Sequence, residues 1–447
     1  MGFSPMSMFV APFRARRPLV AALCFSLCAG ACVSLVAQQA PARGVLSDLA
    51  EATAASRRKD HAAAAAHLSR ALAGAPSHPG LLSELARAEF LSGNRGAAAQ
   101  RLTRALRLGG GLGVVDDPAM APLLAGEGSA ALRDAVASLR TPVSSSQEAF
   151  RIAERDLIPE GIAYDPVEKC FYVGSIYRRT IVRLDASGQA TPFAGERQDD
   201  LLSVLGMKVD PGRRLLWAAT EGHLNMKDAV ASDVGRAALV KYDLKSRQLV
   251  KKYEVAPDPG PHLFNDVALD RGGNVFVTDS EEGSVYAVRQ DADRLERLVG
   301  PGLFAYPNGI ALSGDERRLF VAHLAGVSVI DVATRQVTPL PHPDDITLVG
   351  IDGLYREGRR LLAVQNGLTP PRVVEFALHE GEDRVTGMRI LERGHRLFAS
   401  IPTTGAVAEG WFYYIANAQL RAFTPDHRVF PREKLEETVI LKTRLAP

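Results

Sequence analysis

Residues 307–311 read Pro307-Asn308-Gly309-Ile310-Ala311, and five variants of this phrase recur along the chain. They are Pro159-Glu160-Gly161-Ile162-Ala163, Val204-Leu205-Gly206-Met207-Lys208, Phe264-Asn265-Asp266-Val267-Ala268, Ile351-Asp352-Gly353-Leu354-Tyr355 and Thr403-Thr404-Gly405-Ala406-Val407. The second residue of each phrase falls at positions 160, 205, 265, 308, 352 and 404, separated by 45, 60, 43, 44 and 52 residues. A period of this size on short strands predicts one propeller blade per phrase.

Each phrase is followed by a second apolar strand: Cys170–Gly174, Leu215–Ala219, Asn274–Thr278, Arg318–Ala322, Arg360–Val364 and Trp411–Ile415. A third is expected at Thr180–Leu184, Ala238–Tyr242, Ser284–Val288, Gly326–Ile330, Arg372–Phe376 and Gln419–Phe423. Turn clusters such as Asp210-Pro211-Gly212 and Asp270-Arg271-Gly272-Gly273 separate them. Outer strands are expected at Leu249–Val255, Gln336–Leu340 and Gly387–Leu391. Residues 149–447 therefore predict a six-bladed β-propeller, with Ala149–Ala153 and Thr438–Lys442 pairing the chain ends. The long interval after Leu205 holds a polar insertion, roughly 221–235, that either overhangs the mouth or stands as a plain surface loop.

Residues 44–140 are written differently, rich in Ala, Leu and Arg and poor in β-branched residues, which predicts helix. Leu68-Ser69-Arg70-Ala71-Leu72 returns 34 residues later as Leu102-Thr103-Arg104-Ala105-Leu106. That period resembles a tetratricopeptide repeat, without its usual Trp and Tyr. Such a segment serves either as a contact surface for a protein or peptide partner or as a helical spacer. Thr141 to Glu148 reads as a linker. The expected architecture is mainly β, a propeller preceded by a helical domain.

At the N-terminus, Arg14, Arg16 and Arg17 precede an apolar run from Leu19 to Ala37. This predicts an export signal over residues 1–40 and a periplasmic or secreted protein. The alternative is a membrane-anchoring helix. Ala29-Gly30-Ala31-Cys32 resembles a lipoprotein cleavage site with Cys32 lipid-bearing, and ordinary cleavage near Ala40 competes with it. Of four cysteines only Cys170 lies in the folded part, on an apolar strand, so no internal disulfide is available. The formal charge of +2 on 447 residues implies no nucleic-acid partner.

Propeller symmetry brings the repeated positions together at the axis. The ring reads Glu160, Leu205, Asn265, Asn308, Asp352 and Thr404. Glu160, Asn265, Asn308 and Asp352 offer only oxygen donors and two negative charges, the donor set of a hard divalent cation, with Ca²⁺ favoured. No His or Cys stands in the ring, which argues against a zinc site of the usual type. Each dipeptide alone reads as a turn or loop; four at one register of one repeat point to a shared metal site.

These four motifs resemble the metal ligands of gluconolactonase/regucalcin-like propellers, a superfamily that includes phosphotriesterases and paraoxonases. The resemblance covers about residues 150–447. It implies a six-bladed propeller with Ca²⁺ or another divalent ion in its tunnel, hydrolysing a small-molecule lactone or ester. It also implies that Asp352 acts on substrate, as base or as nucleophile; in a hydrolase of this kind Met207 and Thr404 are expected to line the wall and bind substrate. Asp266 either touches substrate or bonds the strand turn. Three departures stand out: Leu263 where sugar lactonases place Arg, Val267 where they place Gly, and Gly206-Met207 where paraoxonase-like lactonases place His. His262 and His323 lie nearby in sequence and read as structural or solvated. A different class, an exported binding or scaffold protein, stays open on the helical repeats and the missing Arg and His.

Overall fold

The computed structural model describes residues 40–126, 128–255 and 260–446. The expected export signal and the Cys32 anchor lie outside these residues. Among them, no helix is long and apolar enough to cross a membrane.

Six four-stranded antiparallel sheets form the propeller. From the inside out, blade 1 is Pro159–Asp165, Cys170–Ser175, Ile181–Leu184 and Ala190–Ala194; blade 2 is Ser203–Asp210, Leu215–Glu221, Ala237–Asp243 and Leu249–Glu254. Blade 3 is Phe264–Leu269, Val275–Asp279, Ser284–Val288 and Leu295–Val299; blade 4 is Ile310–Leu312, Arg318–His323, Gly326–Asp331 and Val337–Pro339. Blade 5 is Leu354–Glu357, Arg360–Gln365, Arg372–Leu378 and Val385–Arg393. The innermost strands touch in cyclic order, and blade 1 meets blade 6 to close the ring. Apolar clusters fill the wedges between blades; one joins Tyr172, Leu216 and Tyr242, another Phe320, Leu361 and Phe376. Burial of these faces is the main favourable term holding blade to blade.

Blade 6 differs from the sequence expectation. Its strands are Gly405–Ala408, Trp411–Ile415, Thr438–Arg444 and Ser146–Ile152. The third strand is thus Thr438–Arg444 rather than Gln419–Phe423. Gln419 adopts φ 58°, which breaks extension there. The chain instead makes an excursion that carries Phe423 and Phe430 onto Ile158, Ile176 and Tyr177. As expected, the two chain ends pair: Phe150 lies opposite Ile440 and Ile152 opposite Thr438. That strand already begins at Ser146, and Val143 bridges Arg393, so 141–148 is not a free linker.

The described part of the N-terminal region is helical: α1 (Ala40–Arg57), α2 (His61–Gly74), α3 (Pro79–Leu91), α4 (Arg95–Leu108), α5 (Leu112–Val115), α6 (Ala121–Ala125) and α7 (Ala130–Arg140). Asp60 and Asn94 cap α2 and α4 through their side chains. Gly109, at φ 104°, ends α4 in the left-handed conformation that glycine tolerates best. The helices are docked on the propeller. Leu324 and Ala325 of blade 4 pack into the cluster built on Leu68, Leu81 and Leu85. Arg393 Nη2 donates to the carbonyls of Ser138 and Thr141, at 3.0 and 2.8 Å.

Candidate metal centre

The repeated phrase folds as a β-bulge at the start of each inner strand. In blade 1, Pro159 pairs Ser175 and Ile162 pairs Val173, so Glu160 and Gly161 together face Gly174. Leu205-Gly206 and Asn265-Asp266 repeat this in blades 2 and 3. In blades 4 and 5 the same bonding appears as Asn308 N–H to the Ala322 carbonyl and Asp352 N–H to the Val364 carbonyl, both 2.8 Å. An extra residue in one strand re-aims the side chains beyond it.

The second bulge residue abuts the next blade. A Cβ on Gly161 would collide with the Leu205 carbonyl, and one on Gly206 would lie 2.6 Å from the Asn265 carbonyl. Glycine stands there because the backbones approach too closely for a side chain. The exceptions, Asp266 and Thr404, bond the next blade. Asp266 accepts from Val267 N–H at 2.8 Å and Ile310 N–H at 3.4 Å, while Thr404 Oγ1 donates to the Glu160 carbonyl.

Two sequence assignments change on this geometry. In blade 6, Thr403 N–H donates to the Ile415 carbonyl and Ile415 N–H to the Thr404 carbonyl. Thr403, not Thr404, therefore holds the register of Glu160 and Asp352; Thr-Thr-Gly misaligned by one against Asp-Gly. Thr404 instead steadies the backbone of Glu160. Met207 does not line the wall: the bulge turns it, with Val204, into the apolar wedge between blades 1 and 2.

The four oxygen-bearing residues keep their register. Glu160, Asn265 and Asp352 are buried and Asn308 is half-buried. Asn308 Nδ2 donates to Asp352 Oδ1 at 2.8 Å, Asn366 Nδ2 donates to Asp352 Oδ2, and Asn265 Nδ2 donates to Ser280 Oγ at 3.0 Å. Glu160 Oε2 and Asn308 Oδ1 have no hydrogen-bond partner although both are buried. An unpaired buried acceptor is costly, and two at equivalent positions of the inner strands fit a cation. The electrostatics agree. Burial, then Asp352, Asp266 and Glu221, raise the Glu160 carboxyl well above its ordinary range. Burial raises Asp352 to about 6, against the pull of the Asn308 and Asn366 amides. Two carboxyls driven toward their neutral forms are a site short of positive charge.

Three residues later in each phrase comes a second layer: Ala163, Lys208, Ala268, Ala311, Tyr355 and Ala406. Lys208 stacks on Tyr355, whose hydroxyl accepts from Gly405 N–H at 2.8 Å. Burial depresses the Lys208 pKa and the Asp266 carboxylate opposes that shift. Beside the ring stand Glu221, raised to about 8 by burial and by Glu281, and Tyr306, whose hydroxyl is pushed up by burial and then by Glu281, Glu221, Asp352 and Glu160. The insertion at 222–236 is tied down there, Lys227 N–H to the Tyr177 carbonyl and Asn225 Oδ1 to His427. At the other end of the inner strands a cavity of about 450 Å³ is lined by Tyr164, Val209, Glu357 and Val407, and no ring residue reaches it.

His262 bonds Asp279 at 2.6 Å, and His323 bonds Ser328 at 2.9 Å and packs on Phe304, so both serve the blades. Cys170 is a buried free thiol. Asn366, Lys208 and Tyr355 were missed in the sequence; the four alanines sharing their layer were the available signal for the last two.

Against known proteins, residues 158–345 match the model of the SMP-30/Gluconolactonase/LRE-like region. Among curated proteins none matches. Solved structures with a similar course include XC5397, a gluconolactonase of Xanthomonas campestris (14% identity, 68% of this chain and 97% of that one, TM-score 0.43). Others are PQQ-bound aldose sugar dehydrogenase of Streptomyces coelicolor (13%, 68% and 99%, 0.44) and virginiamycin B lyase of Staphylococcus aureus (12%, 67% and 99%, 0.43). The family match takes in Glu160, Asn265 and Asn308 and stops short of Asp352. The family model thus matches blades 1 to 4; two further blades follow the matched stretch and the docked helices precede it.

Proposed function

We propose that this protein is a divalent-cation-dependent hydrolase whose substrate is an electrically neutral lactone or ester. The observation that carries the reading is the pair of unpartnered buried oxygens, Glu160 Oε2 and Asn308 Oδ1, in register with Asn265 and Asp352. Glu160, Asn265, Asn308 and Asp352 would hold the ion, Ca²⁺ being the cation that all-oxygen donors and a wide ring suit best. When bound, such an ion supplies Lewis-acid polarisation of a carbonyl or phosphoryl oxygen.

The rest is the work of the chain. Asp352 is oriented by two amides, from Asn308 and Asn366, and its pKa near 6 leaves it ionised at neutral pH and still able to take a proton. It acts either as the base for a water or as the attacking nucleophile. Lys208 offsets Asp266, which leaves Glu160 and Asp352 as the two carboxyls whose ionised forms would balance a divalent ion. With a divalent ion balancing the ring, and with the Glu221 carboxyl pushed up to about 8 and therefore uncharged at neutral pH, the site offers no net positive charge to an anionic substrate and suits a neutral one. Export rests on Arg14, Arg16, Arg17 and the apolar run after them. The helical segment is proposed to offer a protein-contact surface.

The test is hydrolysis of a panel of neutral and anionic lactones and aryl esters with Ca²⁺ and with chelator. Chelator-sensitive turnover of neutral members is expected. Tight cation binding with no turnover on any member would favour a ligand-binding scaffold instead.

A further inference from the structure

We propose that the helical segment positions the metal centre: the C-terminal end of α4 clamps Arg372, and Arg372 holds the Gln365-Asn366 pair that sets the Asp352 carboxylate. The inference rests on the cation site proposed above. Arg372 opens the third strand of blade 5 and is 1% exposed. Its Nε donates to Gln365 Oε1 at 2.7 Å, and its Nη2 has no hydrogen-bond partner. Burial, and repulsion from Arg393, push the guanidinium down to about 9.

What faces this cation is the end of a helix. The guanidinium lies against Gly109, so that a Cβ there would overlap Nη1 and sit 2.9 Å from Cζ. Helix C-termini carry partial negative charge, and the effect is largest within the last turn. Gly109 is thus required twice, by its φ of 104° and by the approach of Arg372.

From Arg372 two short paths lead to Asp352. Gln365 is fully buried, and its Nε2 donates to the carbonyls of Thr347 at 3.1 Å and Val349 at 2.8 Å, in the loop that runs into Asp352. The next residue, Asn366, donates through Nδ2 to Asp352 Oδ2 and, at 2.9 Å, to the Pro402 carbonyl. The backbone entering Asp352 is therefore fixed by Gln365, which Arg372 holds directly, and the carboxylate by Asn366, the next residue of the chain. Groups that orient a metal ligand change affinity without touching the ion.

The experiment uses the full chain carrying Gly109→Ala, Arg372→Lys, or, as a control that loosens the cluster α7 shares with α4 without touching Arg372, Leu132→Ala in α7. Ca²⁺ affinity is measured by calorimetry, and hydrogen exchange is followed over residues 346–352 and 364–367. Gly109→Ala and Arg372→Lys are expected to weaken Ca²⁺ binding about tenfold at unchanged stoichiometry and to speed exchange in both segments; Leu132→Ala should do neither. Wild-type affinity and exchange in a folded Gly109→Ala or Arg372→Lys chain would overturn the proposal, as would equal weakening by Leu132→Ala. Should the wild type bind no cation, the metal-site reading fails, and the exchange data still decide whether Arg372 and α4 hold the Asp352 loop.

Discussion

The Lys208 ammonium lies 4.5 Å from the centre of the Tyr355 ring, although the two residues stand in blades 2 and 5, on opposite sides of the axis. Alanines at the four equivalent positions leave the room they fill. Together they form the layer next to the ring of Glu160, Asn265, Asn308 and Asp352 along the inner strands.

If Lys208 balances Asp266, removing its charge should be costly while Asp266 stays ionised. Lys208→Met keeps most of the stem and is expected to lower stability by about 1–3 kcal/mol. Adding Asp266→Asn should recover much of that loss. Urea unfolding of the two single variants and the double variant measures the coupling; strictly additive losses would separate the two residues.

Met207 distinguishes a core residue from a wall residue. Packed between blades 1 and 2, its truncation to Ala should cost about 2–5 kcal/mol and leave Ca²⁺ affinity unchanged. A weakened site with an intact melting temperature would return Met207 to the wall.

The blade count and the oxygen ring were legible because the repeat writes both at one register. Strand alternation could not be read through the phrase, since a bulge of two residues hides the in–out parity of the residues beyond it. From sequence alone Met207 therefore falls on the wall. Thr403-Thr404-Gly405 offered two alignments, and only the bonds to Ile415 choose between them. Gln419–Phe423 looks like a strand by composition, but the positive φ at Gln419 is a tertiary outcome of the excursion packing on Ile158. Asn366 and Arg372 lie in no repeated motif, and their roles depend on contacts between distant segments.

The raised carboxyls give a signed pH dependence. Cation binding needs Glu160 and Asp352 ionised and burial pushes both carboxyls up, so Ca²⁺ affinity should fall as pH drops, Asp352 taking its proton near 6, and binding there should release protons. Metal-free stability runs the other way. The native state holds protons that the unfolded chain gives up near 3.8 for Asp352, so stability is lost as pH rises from there to about 6. The loss continues toward about 8 through Glu221. Denaturation midpoints of the chelated protein at pH 5 and pH 8 check the sign; a higher midpoint at pH 8 would refute it.

Asp352→Asn keeps the size and one ligand oxygen while removing the charge that a base or nucleophile needs. Turnover should drop by at least about 100-fold, with cation binding only weakened, whereas Glu160→Gln should lose both together. Near-normal turnover by the Asp352→Asn chain would take Asp352 out of the chemistry.

On the proposed function, Glu160, Asn265, Asn308 and Asp352 share one divalent cation. Calorimetric titration of the chelator-stripped protein with Ca²⁺ near pH 7.5 tests it most directly. One tightly bound ion per chain is expected, abolished by Glu160→Gln and accompanied by a higher melting temperature. No heat of binding together with an unchanged melting temperature at saturating ion, or binding that survives Glu160→Gln intact, would contradict it.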